Sequence, residues 1–419
     1  METSVSHRPR PEEVFTPRAS TVNEEMYVNR ELLESALTKA LRKNLHILMH
    51  GQSGTGKSWL YKRTLELLDL PFIVANLANA SRLGSITAEL QNVVQREGRA
   101  SKVGYTENKS AEVNALLAKA ELSHSADYEI GKKEPFEDVL RLLSEKSGGK
   151  TSVLVLDNLE AIFNEKHLKE LADLITLCDD ERYAQYNVKL LIVGVPSEVK
   201  SYYYKTPTTT TVANRLDELP EISKLSKEEC DELIERGFVE KLRYSVDDLA
   251  KFKSHIRWIT GGIPQLVHEY CLEVAIIAED SQHVDPPVTH IAEKEWLKRS
   301  HYFAYSAIES HMNERDTKAG RRNQTLLALG ECTTEEFKPS DIEEIMRKIF
   351  PISTVNTMLN AAQNLASLAS GDRPVVKRSS KGDAFYFADP RYRHVIRAML
   401  RVNEDERVER VAVEISSAG

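Results

Sequence analysis

Apolar residues fall into short continuous runs separated by longer stretches with helical spacing. The runs are LHILM from Leu45 to Met49, PFIVAN from Pro71 to Asn76, TSVLVL from Thr151 to Leu156 and VKLLIVGV from Val188 to Val195. Runs this short and this apolar are typical of central strands buried on both faces of a parallel sheet. Between them the spacing predicts helices: Leu32, Leu33, Leu37 and Leu41 share one face behind a possible Asn29 cap, further helices begin at Lys57 and at Ser85, and another covers 136–144 until Gly148 and Gly149 break it. Strands alternating with helices predict an α/β fold around a parallel sheet. The polar stretch 95–135 reads as an insertion with a helix-like middle from Ser110 to Leu122. Its lysines, Arg96 and Arg99 suit either a partner or nucleic-acid contact, or a solvated lid.

From Ser226 the pattern turns helical, beginning with a Ser-x-x-Glu capping box and continuing over 246–259 and 264–278. After a linking segment, 285–306, the chain reads as three helices (NQTLLALGE, PSDIEEIMRKIF and STVNTMLNAAQNLASLASG, the last capped by Ser353). A β-hairpin turning at Lys381-Gly382 follows. Residues 1–22, with Pro9, Pro11 and Pro17 among charged residues, read as a disordered tail dispensable for folding. The tail 402–419 reads as an exposed strand or as disorder. The expected division is therefore 23–222 for the sheet domain, 223–306 for a helical lid and 307–401 for the last domain.

The candidate chemistry is concentrated after the first strand. Gly51, Gln52, Ser53, Gly54, Thr55, Gly56, Lys57 and Ser58 match G-x-x-x-x-G-K-[ST] at every fixed position, between a strand and a helix. The glycines let the backbone turn its N–H groups inward, and the helix N-terminus adds a positive dipole aimed at the same point. That arrangement cradles a nucleoside triphosphate, with Lys57 along the β- and γ-phosphates and the Ser58 hydroxyl on Mg²⁺. The run TSVLVL ends in Asp157, a carboxylate at the edge of the sheet where it faces such a loop and can hold the water shell of Mg²⁺.

With the phosphate loop, Asp157 and the helical and hairpin segments that follow, residues 23–401 resemble a P-loop ATPase of the AAA+ class. Within it they are nearest the origin-recognition, initiator-like group and its signal-transduction relatives. The resemblance implies ATP and Mg²⁺ as ligands, a parallel-sheet core with an α-helical lid, and a C-terminal winged helix. It also implies that Tyr27, Val28, Asn29 and Arg30 form the lead-in that packs against adenine, although Tyr27 is equally well read as plain core. Family members usually carry glutamate directly after the aspartate, where this chain has Asn158. An amide can position water but cannot accept its proton, and Glu160, two residues on, either substitutes or merely caps the next turn. Arg215 lies where relatives carry an arginine that reaches a neighbour's γ-phosphate. Gln265 stands where an arginine commonly follows the lid proline, so the charge is lost there. Lys57, Asp157, Asn158, Glu160 and Arg215 are thus the catalytic candidates, and slow hydrolysis is the expectation. Ser197 is the nearest candidate for the polar sensor, and Tyr202, Tyr203 and Tyr204 beside Lys205 could stack on bases or pack a loop.

Members of such families assemble side by side when ATP is bound, so a homo-oligomer is expected. For the winged helix two readings stand. Asn356, Asn360, Gln363 and Asn364 with Arg373, Lys377, Arg378, Lys381, Arg391, Arg393, Arg397 and Arg401 could meet DNA. Alternatively the module packs against protein, as in signal-transduction ATPases, whose FxDP-Y-R pattern Phe387, Asp389, Pro390, Tyr392 and Arg393 resemble.

Composition narrows this further. A net charge of −8 excludes a protein that coats nucleic acid uniformly. Cys178, Cys230, Cys271 and Cys332 lack metal-binding spacing and read as reduced thiols, and no run is long and apolar enough for a membrane span, so a cytoplasmic protein is expected. Three functions fit: an ATP-dependent switch acting on DNA or DNA-bound partners, a signal-transduction ATPase of prokaryotic antiviral defence that activates a separate effector, and a nucleotide-binding scaffold without turnover.

Overall fold

A computed structural model describes residues 8–103, 134–195, 210–313, 320–379 and 382–413. The chain divides into two compact units, a sheet unit (20–22 and 29–223) and a helical unit (up to 19, 23–28 and from 224 onward).

In the sheet unit the apolar runs form β1 (His46–His50), β2 (Phe72–Asn76), β3 (Ser152–Asp157) and β4 (Val188–Gly194), joined by β5 (Leu216–Glu218) in the order β2-β3-β4-β1-β5. All the pairings are parallel. Successive side chains alternate between faces. Leu48, Leu154, Leu156, Leu190 and Ile192 pack on one side with Leu90, Phe136 and Leu171. Ile47, Met49, Val153, Val155, Leu191 and Val193 pack on the other with Leu37, Leu60 and Leu65. Both faces are covered, which is why the runs are continuous rather than alternating. Register pairs Asn76 with Asp157 and His50 with Gly194, so the C-terminal ends of β1 to β4 share one edge.

Several local readings change. The first helix of this unit spans Glu31–Leu41 after an Arg30 cap position, and its buried face is Leu37, Ala40 and Leu41, while Leu32 is 88% exposed. The helix read over 85–94 runs Ile86–Val103, with Glu170 accepting from the Ile86 and Thr87 N–H groups at its start, both at 2.9 Å. Helix Leu77–Leu83, capped by the Asn76 side chain, and the short β5 (LDE) carry no apolar run and were not foreseen. The helix-like middle of the insertion, Ser110 to Leu122, lies outside the described residues.

The helical unit has one core, running from Val14 to Leu400, so the segments expected as lid and winged helix share their buried side chains. The reading of 1–22 as a dispensable disordered tail is corrected for residues 8–22. Phe15 is 0% exposed and stacks on Phe238 at 5.0 Å, with Gly237 so close that a Cβ there would come within 2.3 Å of the ring. Thr16 N–H donates to His268 Nδ1 at 3.2 Å and Arg18 pairs with Glu269 at 3.1 Å. Two apolar residues, Val14 and Phe15, outweigh the prolines around them.

Helices Arg321–Glu331, Pro339–Ile349 and Ala361–Leu368 precede a hairpin of Val376–Arg378 with Phe385–Phe387, to which Glu336–Phe337 adds a third antiparallel strand. Ser353 does not cap the third helix, which begins eight residues later at Ala361. The Glu406 carboxylate takes the N–H groups of Ile352 and Ser353, while Arg321 and Arg347 hold the Ser353 and Thr354 carbonyls, which fixes a non-helical turn there. The C-terminal segment is a second hairpin, Leu400–Val402 with Val408–Arg410.

Candidate functional site

The loop between β1 and helix Lys57–Leu67 is shaped by close backbone approach. A Cβ on Gly51 would lie 2.3 Å from the Ile222 carbonyl oxygen, and Gly56 caps the helix in the left-handed region at φ 86°. A side chain at Gly51 would displace the loop, and one at Gly56 would strain the backbone. Lys57 Nζ donates to the Gly51 and Gln52 carbonyls at 2.7 and 2.8 Å. Burial pulls the Lys57 pKa below the ordinary lysine value, against the Glu160 and Asp157 carboxylates, which push it up. From within the unit Arg30 supports the loop, donating to the Thr55 carbonyl at 2.9 Å.

Asp157, at the tip of β3, meets the loop across 99 residues of sequence: Ser58 Oγ donates to its Oδ2 at 3.2 Å. Tyr61, one turn further along the same helix face, donates to the same oxygen at 3.1 Å, and Asn158 N–H donates to Oδ1 at 2.8 Å. Burial and the Asp157 charge both raise the Tyr61 pKa, so its hydroxyl stays protonated and a donor. A hydroxyl and a carboxylate oxygen side by side are hard ligands of the kind Mg²⁺ takes, with water and phosphate oxygens completing its shell. No cluster of three or more His, Cys, Asp or Glu able to hold a metal occurs among the described residues. Ser58 Oγ and Asp157 Oδ2 supply two hard oxygen donors, the chemistry that suits Mg²⁺.

Asn158 sits in the left-handed region at φ 67°, which asparagine tolerates better than most residues. Its Nδ2 donates to Asn76 Oδ1 at 3.0 Å, and that oxygen also takes the Ala78 N–H. The amide is thus tied to the end of β2. Glu160 reaches the tip of β4 instead, where its Oε2 accepts from Val195 N–H at 3.1 Å.

One further candidate belongs to the sheet unit. Arg215 is at the opposite edge of the sheet: its carbonyl accepts from His46 N–H, where β1 begins, and its guanidinium pairs with Asp179. Tyr27, Val28 and Gln265 belong to the helical unit. Tyr27 and Val28 are buried, the Tyr27 carbonyl accepting from Arg236 at 2.7 Å, and Gln265 Nε2 donates to Glu269 at 2.9 Å. Ser197, Tyr202 to Tyr204 and Lys205, and Lys381, fall outside the described residues. The basic C-terminal cluster is largely committed internally. Arg391 pairs with Asp389, Arg393 with Glu335, and Arg401 with Glu293, while buried Arg397 donates to the Gly330 and Trp258 carbonyls. Asn364 likewise turns inward to Thr325 at 3.0 Å. Lys377 and Arg378 are exposed on the hairpin, Arg378 lying over the Phe385 ring.

Sequence reasoning placed Arg30 in the adenine-packing lead-in rather than on the phosphate loop, and missed Tyr61 and Asn76. The spacing Lys57, Ser58, Tyr61 on one helix could have singled out Tyr61; Asn76 carries no motif.

Residues 41–202 match a family described as an AAA domain. No curated protein matches the chain. Similar solved structures include a Walker-type ATPase of Pyrococcus abyssi, at 16% identity over 89% of this chain and 97% of that one with a TM-score of 0.48. Cdc6p from Pyrobaculum aerophilum is similar at 16% identity over 92% and 97%, TM-score 0.42. The ORC2 protein of Aeropyrum pernix, in ADPNP–ADP complexes, is similar at 14% identity over 92% and 97%, TM-score 0.46.

Proposed function

We propose that this chain, whose residues 41–202 match an AAA-domain family, is a slowly hydrolysing ATP switch that assembles with copies of itself when ATP is bound. The observation that carries the reading is the convergence of Lys57, Ser58 and Asp157 at one sheet edge, with Ser58 Oγ 3.2 Å from the Asp157 carboxylate. Lys57 lies along the phosphates and exchanges its loop carbonyls for phosphate oxygens. Ser58 and Asp157 would hold Mg²⁺, which when bound would supply charge neutralisation at the phosphates. Glu160 orients the attacking water and accepts its proton, since Asn158 lacks that capacity and its amide is bonded to Asn76. Arg215, half-buried at the opposite edge, acts on a neighbouring copy's nucleotide rather than its own.

For the downstream step, the internal pairing of Arg391, Arg393, Arg397 and Arg401 counts against DNA phosphate contact at that face. Activation of a separate effector, as in antiviral signalling ATPases, fits this best. The exposed pair Lys377 and Arg378 keeps a second reading, in which the C-terminal module, taken as a winged helix, contacts DNA phosphates through its hairpin. The test is mass by light scattering for the full chain with no nucleotide, with Mg-ATP, and with Mg-ATP and duplex DNA, beside Lys57→Ala. Assembly that needs ATP and Lys57 supports the switch; a monomer throughout overturns it. DNA-strengthened assembly that weakens steeply with salt selects the second reading.

A further inference from the structure

After a short passage at 20–22 the chain re-enters the sheet unit at Asn29 and leaves it after Ser223. Arg30, one residue past this re-entry, donates through Nη2 to the Ser223 carbonyl at 2.6 Å and through Nη1 to the Thr55 carbonyl of the phosphate loop at 2.9 Å. It is 7% exposed; its bond to Thr55 is buried and its bond to Ser223 part-buried, and a charged donor makes both stronger than neutral ones. The segment leading out, Leu219 to Ser223, is laid along the same loop by backbone. Leu219 N–H donates to the Leu48 carbonyl at 2.9 Å and Ile222 N–H to the His50 carbonyl at 2.8 Å, and the Ile222 carbonyl stands against Gly51. One guanidinium therefore joins the phosphate loop, the inward crossing and the outward crossing.

We infer that Arg30 is a positioning residue that couples occupancy of the phosphate loop to the strap 219–223, and so passes nucleotide state to the point where the chain leaves the sheet unit. The chemistry requires arginine: its planar fork spans two carbonyls at fixed geometry, which the point charge of lysine does not. Phosphate oxygens drawing the loop N–H groups inward reorient the peptide planes of the loop, the Thr55 carbonyl with them. Through the shared guanidinium the Ser223 carbonyl follows. This inference rests on the nucleotide-site reading above.

The test is hydrogen–deuterium exchange on the full chain without nucleotide, with Mg-ADP and with Mg-ATP, for wild type, Arg30→Gln and Arg30→Lys. Wild type is expected to gain protection both over 51–58 and at the Leu219 and Ile222 amides on nucleotide binding. Arg30→Gln, which can reach one carbonyl and not both, is expected to keep protection over 51–58 with affinity for a fluorescent ATP analogue down about tenfold, the loss of one charged hydrogen bond. Its nucleotide-dependent protection at Leu219 and Ile222 disappears. Arg30→Lys keeps the charge and hence more of the affinity, yet loses the same coupling; if Arg30→Gln does not fold, Arg30→Lys alone decides. Strap protection that persists in Arg30→Lys, or wild-type protection confined to 51–58, overturns the coupling. No response in either segment of wild type overturns the nucleotide reading as well, and is told apart by the absence of analogue binding.

Discussion

Glu160 Oε2 accepts the Val195 N–H at 3.1 Å, which fixes a carboxylate at the tip of β4 where its charge acts directly on the Lys57 ammonium. The residue next to Asp157, Asn158, is bonded sideways to Asn76 instead. The two residues that sequence alone leaves as rivals for positioning water thus have different protein partners.

Glu160→Gln keeps the size and the acceptor oxygen toward Val195 but removes the proton acceptor. ATP turnover is expected to fall by about a hundredfold or more, the usual contribution of a general base, with ATP affinity little changed. Asn158→Ala, by contrast, loses one hydrogen bond and is expected to cost about 1 kcal/mol of stability with turnover largely retained. Single-turnover hydrolysis and urea melts of both variants check this; a larger rate loss for Asn158→Ala than for Glu160→Gln would reverse the assignment.

Tyr61 and Ser58 both donate to Asp157 Oδ2, so this carboxylate is oriented before any metal arrives. Removing an outer partner of a metal-binding group typically weakens the metal by ten- to a hundredfold. Tyr61→Phe is expected to raise the Mg²⁺ concentration needed for half-maximal ATP hydrolysis by about tenfold, leaving metal-free nucleotide binding unchanged. An unaltered Mg²⁺ titration would show that Tyr61 is packing alone.

The parallel sheet and its phosphate loop were legible because both are local. TSVLVL needs both faces buried wherever it lies, and G-x-x-x-x-G-K-S carries its geometry in consecutive residues. What escaped depends on partners far along the chain. Arg30 acquires meaning from Thr55 and Ser223, and the turn at 351–356 from Glu406, Arg321 and Arg347. A basic cluster likewise reads as a free surface until Glu335 and Glu293 are placed beside it. The proline-rich start misled for a similar reason: Phe15 is invisible as core until Phe238 and Gly237 receive it.

Phe15 predicts a stability role for a segment that composition marks as dispensable. Truncating a fully buried phenylalanine costs about 3–5 kcal/mol, part transfer and part cavity. Phe15→Ala is expected to lower the melting midpoint by several degrees, and deletion of 1–22 to lower it at least as far, as followed by Trp fluorescence from Trp258 and Trp296 in the same unit. A deletion variant that melts with wild type would return the segment to the status of a tail.

Buried histidines set the acid limit. Burial lowers the pKa of His46 to about 4, against the nearby Asp179 carboxylate, which works to raise it. Burial lowers His268 to about 4, and burial together with the Arg397 charge lowers His394 to about 3. Each ring is neutral in the fold and an acceptor or packing group there: His46 Nδ1 takes the Leu190 N–H at 3.1 Å and His268 Nδ1 the Thr16 N–H at 3.2 Å. Unfolded, the same rings titrate near 6.5, so between that pH and about 4 the unfolded chain binds more protons and stability falls as pH drops. Each histidine contributes a slope of at most about 1.4 kcal/mol per pH unit in that window and none above it. Glu170 acts in a lower window. Burial works to raise its pKa, but the N–H groups of Thr87 and Ile86 hold it below the ordinary value, so its contribution is present above the usual carboxylate range and lost beneath it. Urea midpoints should therefore be flat from pH 8 to 7 and decline between 6.5 and 4.5, before carboxylates protonate. His46→Asn, which retains an acceptor for Leu190 without a titrating ring, should flatten that decline in the sheet unit, and a midpoint that stays level down to pH 4.5 in wild type would mean the rings accept protons in place.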